Sequence, residues 1–515
     1  MCSGSTSRVC DGPAEIAFET GHTHLLSDAS SPSDTSQFVV MESEADGIER
    51  LHTVDTAEAK EKTRARVLST LPLLALAFFA TCGGPISSES IITASGPAVG
   101  FIALLVFPVL FFVPMCFVVT ELVSAIPDAG GHAYWIALAF GPQCGFQAGY
   151  WTWVANCVSC ALISSLTVSF FADSGGSADR STAEEIVRQG LPILLALPGF
   201  FSLRRVGQIV SVLFLVVFVI YLTQVISGAV AARDWNDIAE VRYTDGSFAS
   251  LFATRSSSQS PRSVHVDVVS LLSNLTWSYH GFHNVSVFAT EVQDPAKTYR
   301  HVMFVALALV PLTYLVPMVV AVATSDPKWT EWVGNSVADI FIAFGGTAMH
   351  MLAGVLLACS VVGLYLMSLL SSAFLATGMV SKRFGPLGVG MNNTSVQATP
   401  QSAIFFSLPV MLIMVNLELD DMARIANAFG GLGSLMLVLA AIRLRFTQKK
   451  LPRPTKLCGD AHPAFMVAAL LVPIACLALS TAYAFSSLIS AVLTSVLLFI
   501  GLVYGWQANF SHFER

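Results

Sequence analysis

Thr81-Cys82-Gly83-Gly84-Pro85-Ile86-Ser87-Ser88-Glu89 interrupts an apolar run that extends from Leu68 to Ser95. Residues Leu68 to Ala80 have the composition of a membrane helix, and Ile91-Ile92 resume it. Two adjacent glycines and a proline remove side-chain packing and a backbone donor in mid-run. In lipid an unwound backbone is tolerated only where protein encloses it. The freed carbonyls, amides and half-helix ends then become ligands for ions or polar solutes. Thr81, Cys82, Gly83, Gly84, Ser87, Ser88 and Glu89 are therefore the first candidates for a small-molecule site. A proline kink needs none of the three serines or the glutamate that follow.

Composition sets the class. Of 515 residues, 54% are hydrophobic and 12% charged, about half the charged share of soluble domains. This is the signature of an all-α polytopic membrane protein. The net charge of −7 resides largely in a polar segment, residues 1–66, which reads as a disordered soluble tail. The first apolar run is too long for a signal-peptide core and is expected to act as an uncleaved anchor. Cys157 and Cys160 form a Cys-x-x-Cys with no second pair, so they read as small packing residues. No nucleophile–base pair, metal-ligand set or phosphate loop is apparent, which argues against an enzyme, a cofactor and nucleic-acid binding.

Twelve apolar runs are long enough to count as spans: 68–95, 98–124, 142–171, 187–202, 206–231, 266–290, 301–323, 347–377, 401–417, 422–446, 463–483 and 486–507. With the N-terminus inside, about nineteen Lys and Arg fall on the cytoplasmic side and about seven outside. Both termini are expected in the cytoplasm. Ala232 to His265 reads as an external loop without a fold of its own, and Trp329 to Phe344 as a short amphipathic segment over the outer mouth. Arg443, Arg445, Lys449, Lys450, Arg453 and Lys456 read as a topology determinant touching anionic lipid. The sequons at Asn392, Asn393 and Asn509 fall on the predicted cytoplasmic side and read as chance matches. The expected organisation is a tail (1–66), a ten-helix core (67–446), and a basic loop with two further helices (447–515).

The sixth span holds a second polar interruption: Trp277-Ser278-Tyr279-His280-Gly281-Phe282-His283-Asn284. Such residues must face a cavity. Interrupted helices at spans one and six are the mark of an inverted-repeat secondary transporter with its substrate near the midplane. Spans one to five and six to ten would be the repeats.

The chain resembles the amino acid-polyamine-organocation superfamily and its LeuT-type 5+5 inverted-repeat fold. The residues that carry the resemblance are Cys82-Gly83-Gly84-Pro85, Ser95-Gly96-Pro97, Thr120-Glu121-Leu122, Ile126-Pro127-Asp128-Ala129-Gly130-Gly131-His132-Ala133-Tyr134-Trp135, Phe140-Gly141-Pro142 and Glu291-Val292-Gln293-Asp294-Pro295-Ala296-Lys297-Thr298. Gly145-Phe146-Gln147 and Trp151-Thr152-Trp153 bring it nearest to the plant and trypanosomatid polyamine uptake branch. The resemblance implies import of polyamines of the putrescine and spermidine class by alternating access, coupled to protons, at the plasma membrane.

It also implies acidic side chains at the positions of Ala80, Ser159, His283 and Ser368, and none is acidic here. The remaining candidates are Glu89, Asn156, Ser159 and Ser278, with Trp277, Tyr279, Phe282, Trp151 and Tyr365 as cation–π partners and Gly281 as the break. A nearly uncharged site equally suits a neutral amino acid, whose carboxylate would meet the amides of Ser87 and Ser88 and whose ammonium would meet carbonyls of span six. A third reading is a nutrient sensor with the tail as its signalling arm. His280 and His283 are either proton-coupling groups or neutral hydrogen-bonded lining. Glu121 and Glu291, pairing with Lys297 or Arg300, are either an inner-gate latch or solvated helix ends. The coupling ion, expected to be H+, and any partner subunit are not marked by the residues.

Overall fold

The computed structural model describes residues 66–85, 88–172, 182–244, 248–250, 263–332, 337–382, 384, 400–459 and 462–507. All belong to one unit, Thr63–Arg515. Ser87, most of the N-terminal tail and the three sequons lie outside the described residues.

In chain order the helices are α1 (Thr70–Thr81), α2 (Glu89–Ser95), α3 (Pro97–Ala125), α4 (Gly131–Phe140), α5 (Pro142–Ala172), α6 (Thr182–Ala196) and α7 (Leu203–Ala231). There follow α8 (Val268–Tyr279), α9 (Pro295–Thr324), α10 (Val337–Ile342), α11 (Thr347–Ser381), α12 (Gln401–Met414), α13 (Leu419–Thr447), α14 (Pro463–Tyr483) and α15 (Leu488–Gln507). Each of the twelve apolar runs contains helix among its described residues. Among these, eight helices are long and apolar enough to cross a membrane unaided. The other four runs are the two broken spans, α6 and the 14-residue α12.

Residues 232–265 were expected to lack structure, and part of the loop has it. Asp234 caps a 3-10 turn by accepting from the Asn236 amide, and β1 (Glu240–Arg242) pairs antiparallel with β2 (Phe248–Ser250). The Arg242 carbonyl accepts from the His265 amide at 2.8 Å. Trp329 and Trp332 are buried beside this hairpin, where Trp329 Nε1 donates to Glu240 Oε2 at 2.7 Å.

The two broken spans run antiparallel and meet at three levels. At one end the Leu68 amide donates to the Glu291 carbonyl and the Gln293 amide donates to Leu68 O. At the other the Asp267 amide donates to Ala94 O at 2.9 Å. Between them Gly281, at φ 115°, presses on the Ala80 carbonyl, which a Cβ would strike. The expected interruption of span six takes this form: α8 ends at Tyr279, and after Gly281 the chain winds as a 3-10 helix over Phe282–Glu291. Such a long 3-10 run is uncommon and often marks a functional hinge.

Candidate functional site

Around the two breaks lies a cavity of about 100 Å³. Its walls include Thr81, Cys82, Asn156, Ser159, Trp277, His280, Gly281 and His283, all foreseen from sequence. They also include Asn284, expected only to face a cavity, Thr152 and Asn427, which were not foreseen, and Ser368, noted only as lacking the expected acid. No carboxylate or cationic side chain lines it among the described residues.

Local chemistry explains why the chain opens here. Gly83 (φ 71°) and Gly84 (φ 133°) hold conformations that disfavour side chains, and a Cβ on Gly83 would lie 2.7 Å from Leu364 Cγ. The Cys82 thiol turns back to the Gly84 carbonyl at 3.3 Å, and Ser88 Oγ donates to Pro85 O at 2.6 Å. Both groups quench polar backbone released by the break. Tyr314 of α9 serves both broken spans, its hydroxyl lying 3.4 Å from Thr81 O and 3.2 Å from Ser278 O.

Several expected lining residues face elsewhere. Pro108 has no amide to bond Leu104 O, so that carbonyl takes the Tyr279 hydroxyl instead, at 3.4 Å. Tyr279 is thereby committed to packing against Phe107 and Phe112, and Phe282 packs edge-on to Phe112. The Tyr365 hydroxyl instead donates to Pro192 O of α6 at 2.7 Å. Ser278 bonds back to Asn274 O within its own helix. Gly83, Gly84, Ser88 and Trp151 are not among the lining residues, nor is Glu89, which is 1% exposed at the start of α2.

The expected pairing of Glu121 with Lys297 or Arg300 is also corrected. Glu121 is buried, with Arg445 Nη1 at 2.5 Å and Arg453 Nε at 3.1 Å from Oε1, while Oε2 accepts from the Leu457 amide at 3.0 Å. Lys297 and Arg300 are exposed, and neither forms an ion pair among the described residues. Glu291 is buried where Leu68 joins the strand-like contact. Arg445 and Arg453, read as lipid-facing, are therefore core residues. Arg453 also caps the end of α13 through Leu444 O and Gln448 O.

Polar side chains knit the cavity floor. Asn284 Nδ2 donates to Asn156 Oδ1 at 3.3 Å, and Asn156 Nδ2 donates to Ser371 Oγ at 3.2 Å. His280 Nε2 and His283 Nδ1 share Ser434 Oγ at 2.7 and 3.4 Å. His132 stacks edge-on to His283, the ring centroids 5.1 Å apart. It reaches that place because Gly130 and Gly131 adopt left-handed backbone against α11 and the 3-10 segment, where a Cβ on Gly131 would lie 2.6 Å from Ser286 Oγ. Sequence reading assigned His132 no role; its position directly after Gly-Gly was the only local signal.

A second cavity, of about 250 Å³, opens at the hairpin end and is lined by Ser90, Asn274, Asp420, Arg424 and Tyr483 among others. Trp277 and Asn427 line both cavities and stand between them. At the Arg66 end the Leu68 contacts and the Glu121 cluster close the bundle.

Comparison with known proteins supplies the family. Residues 71–507 match a profile described as amino acid permease. The chain is 26% identical to polyamine transporter RMV1 of Arabidopsis thaliana over 407 residues, 78% of each chain. It is 27% identical to polyamine transporter PUT1 of Oryza sativa subsp. japonica over 443 residues, 85% of this chain and 78% of that one.

Proposed function

We propose a function from the premise that this chain belongs to the amino acid permease family: it is a secondary active transporter that imports polyamines or related organic amines by alternating access, linked to protons. Membership makes it an integral membrane transporter and not an enzyme. The observation that carries the rest is the pair of antiparallel broken helices enclosing a polar cavity. The names of the relatives support an amine as cargo. We place the Arg66 end in the cytoplasm of a cell whose plasma membrane the protein spans. The vestibule and the sealed opposite end then correspond to an outward-facing arrangement, with Trp277 and Asn427 separating vestibule from cavity.

One observation favours a second reading. Among the described residues no carboxylate lines the cavity, and burying an unpaired ammonium at mid-membrane costs several kcal/mol. A neutral amino acid supplies its own counter-charge. The deciding experiment is uptake in a transport-deficient cell, comparing labelled putrescine and spermidine with neutral and basic amino acids, with and without a proton uncoupler. Uncoupler-sensitive polyamine uptake supports the proposal. Uptake of amino acids alone replaces it with the second reading, and binding of either without uptake makes the protein a sensor.

A further inference from the structure

Residues 126–135 carry the chain from α3 into α4 and are fastened there to three other elements. The segment is firm in itself: Trp135 is fully buried, and its Nε1 donates back to Ile126 O at 2.9 Å. Gly130 and Gly131 bring bare backbone against two neighbours. A Cβ on Gly131 would collide with Ser286 and Val287 of the 3-10 segment, and a Cβ on Gly378 of α11 would lie 2.2 Å from the Gly130 amide nitrogen.

Two polar ties secure these contacts. His132 donates its amide to Ser286 Oγ at 3.1 Å and sets ring Nδ1 3.2 Å from the same oxygen. Its Nε2 lies 3.1 Å from Thr152 Oγ1 of α5. Asp128 Oδ1 pairs at 2.5 Å with Nζ of Lys382, which caps the end of α11. That ammonium stands over the Tyr134 ring, 4.6 Å from its centre. The two charged side chains are 21% and 24% exposed, so the pair is shielded from much of the solvent that weakens surface ion pairs.

What the ties join decides their meaning. α5 and α11 are uninterrupted helices bound to one another, Asn156 to Ser371 and Cys160 to the Tyr365 carbonyl, and a Cβ on Gly149 would strike Met379 Sδ. The 3-10 segment is the opposite, the continuation of a broken span in a geometry that often marks a hinge. It runs from the cavity, which His283 and Asn284 line, to the Arg66 end, where the Glu291 carbonyl meets Leu68. The Leu68 contacts join the broken spans only to each other, and the Glu121 cluster joins α3 to the end of α13 and its loop. Residues 126–135 clasp the hinged segment to the rigid pair.

We propose that residues 126–135 are an inner bolt with His132 and Asp128 as its positioning residues. His132 holds the 3-10 segment through Ser286, Asp128 holds α11 through Lys382, and the cavity opens at the Arg66 end when these ties part. A contact made in one arrangement and broken in the other biases the balance between them by its own free energy. Weakening the bolt therefore populates the arrangement that is open at the Arg66 end and closed at the vestibule. This rests on the reading of the protein as an alternating-access transporter.

The test uses purified full-length protein in detergent, where both ends meet the same polar maleimide and peptide mass spectrometry reads each labelling rate. Two reporters are introduced separately: Asn274→Cys in the vestibule wall, and Val287→Cys at a 2% exposed position whose amide lies against Gly131. Adding Ser286→Ala or Lys382→Gln is expected to speed labelling at 287 about fivefold, the population shift that losing one such tie produces. The same variants should slow labelling at 274, and combining them should widen both changes. Lys382→Arg keeps the charge and the ring contact, so it should label as the wild type does. Unchanged rates at both positions in Ser286→Ala and Lys382→Gln overturn the inference. Faster labelling at 287 without a loss at 274 also overturns it, since that marks local loosening or unfolding. Neither outcome touches the transport reading, which fails separately if the wild type takes up neither amine nor amino acid.

Discussion

Glu121 illustrates how a single side chain changes meaning once its neighbours are known. From sequence it resembles a helix-end acid beside Lys297 and Arg300, four and seven residues beyond Gln293. In the folded chain its partners, Arg445 and Leu457, lie 324 and 336 residues away. A buried carboxylate shared by two arginines is costly to disturb singly, because its removal strands charge in a dry site. Glu121→Gln is expected to destabilise the protein by about 3 to 5 kcal/mol. Lys297→Gln and Arg300→Gln, both at exposed positions, are expected to stay within about 0.5 kcal/mol of wild type. The unfolding transition of purified protein in detergent measures all three; equal effects would restore the latch between Glu121 and those two residues. The residues of the breaks themselves were legible because glycine and proline act through their own backbone. His132 was not, since the Ser286 that holds it is 154 residues away.

At the scale of elements, two interruptions that look unrelated in sequence turn out to be one joint. The first is announced by Gly-Gly-Pro, and the second contains no proline at all. What joins them is Tyr314 on an uninterrupted helix, whose hydroxyl reaches the last carbonyls of α1 and α8 together. Helix ends leave carbonyls without intrahelical donors, and here neither water nor lipid can replace the phenol. Tyr314→Phe keeps the ring packed against Tyr279, at 5.6 Å between centroids, and removes only the donor. Leaving one buried acceptor unsatisfied costs about 1 to 3 kcal/mol. The variant is expected to fold, to melt lower by that amount, and to lose uptake more than it loses stability, since both breaks lose a common anchor. Comparing unfolding with uptake per folded molecule checks this, and an unchanged uptake per molecule would reduce Tyr314 to packing. No window of sequence reveals such a role, because an interior tyrosine in an apolar helix has no local mark of what it caps.

For the whole molecule, the order of spans and the two breaks could be read ahead because membrane helices are written in local apolar composition. Orientation rests on charge bias alone, yet the structure offers a direct way to test it. Cys458 is exposed, on the loop that Arg445 anchors at the Arg66 end through Gly459 O at 2.8 Å. The cysteines in membrane helices are buried or half-buried, so they compete poorly for a polar thiol reagent. With the Arg66 end in the cytoplasm, Cys458 is expected to resist a membrane-impermeant maleimide in intact cells and to react when the membrane is opened, with peptide mass spectrometry separating it from Cys2 and Cys10. A cysteine placed at Asn274, in the vestibule wall, should show the opposite pattern and should be protected by a bound cargo that fills the path past Trp277 and Asn427. Labelling of Cys458 from outside would invert the assignment and make the vestibule cytoplasmic. The same broken helices would then open toward the cell interior, and the direction assigned to the amine would have to be argued again from that side.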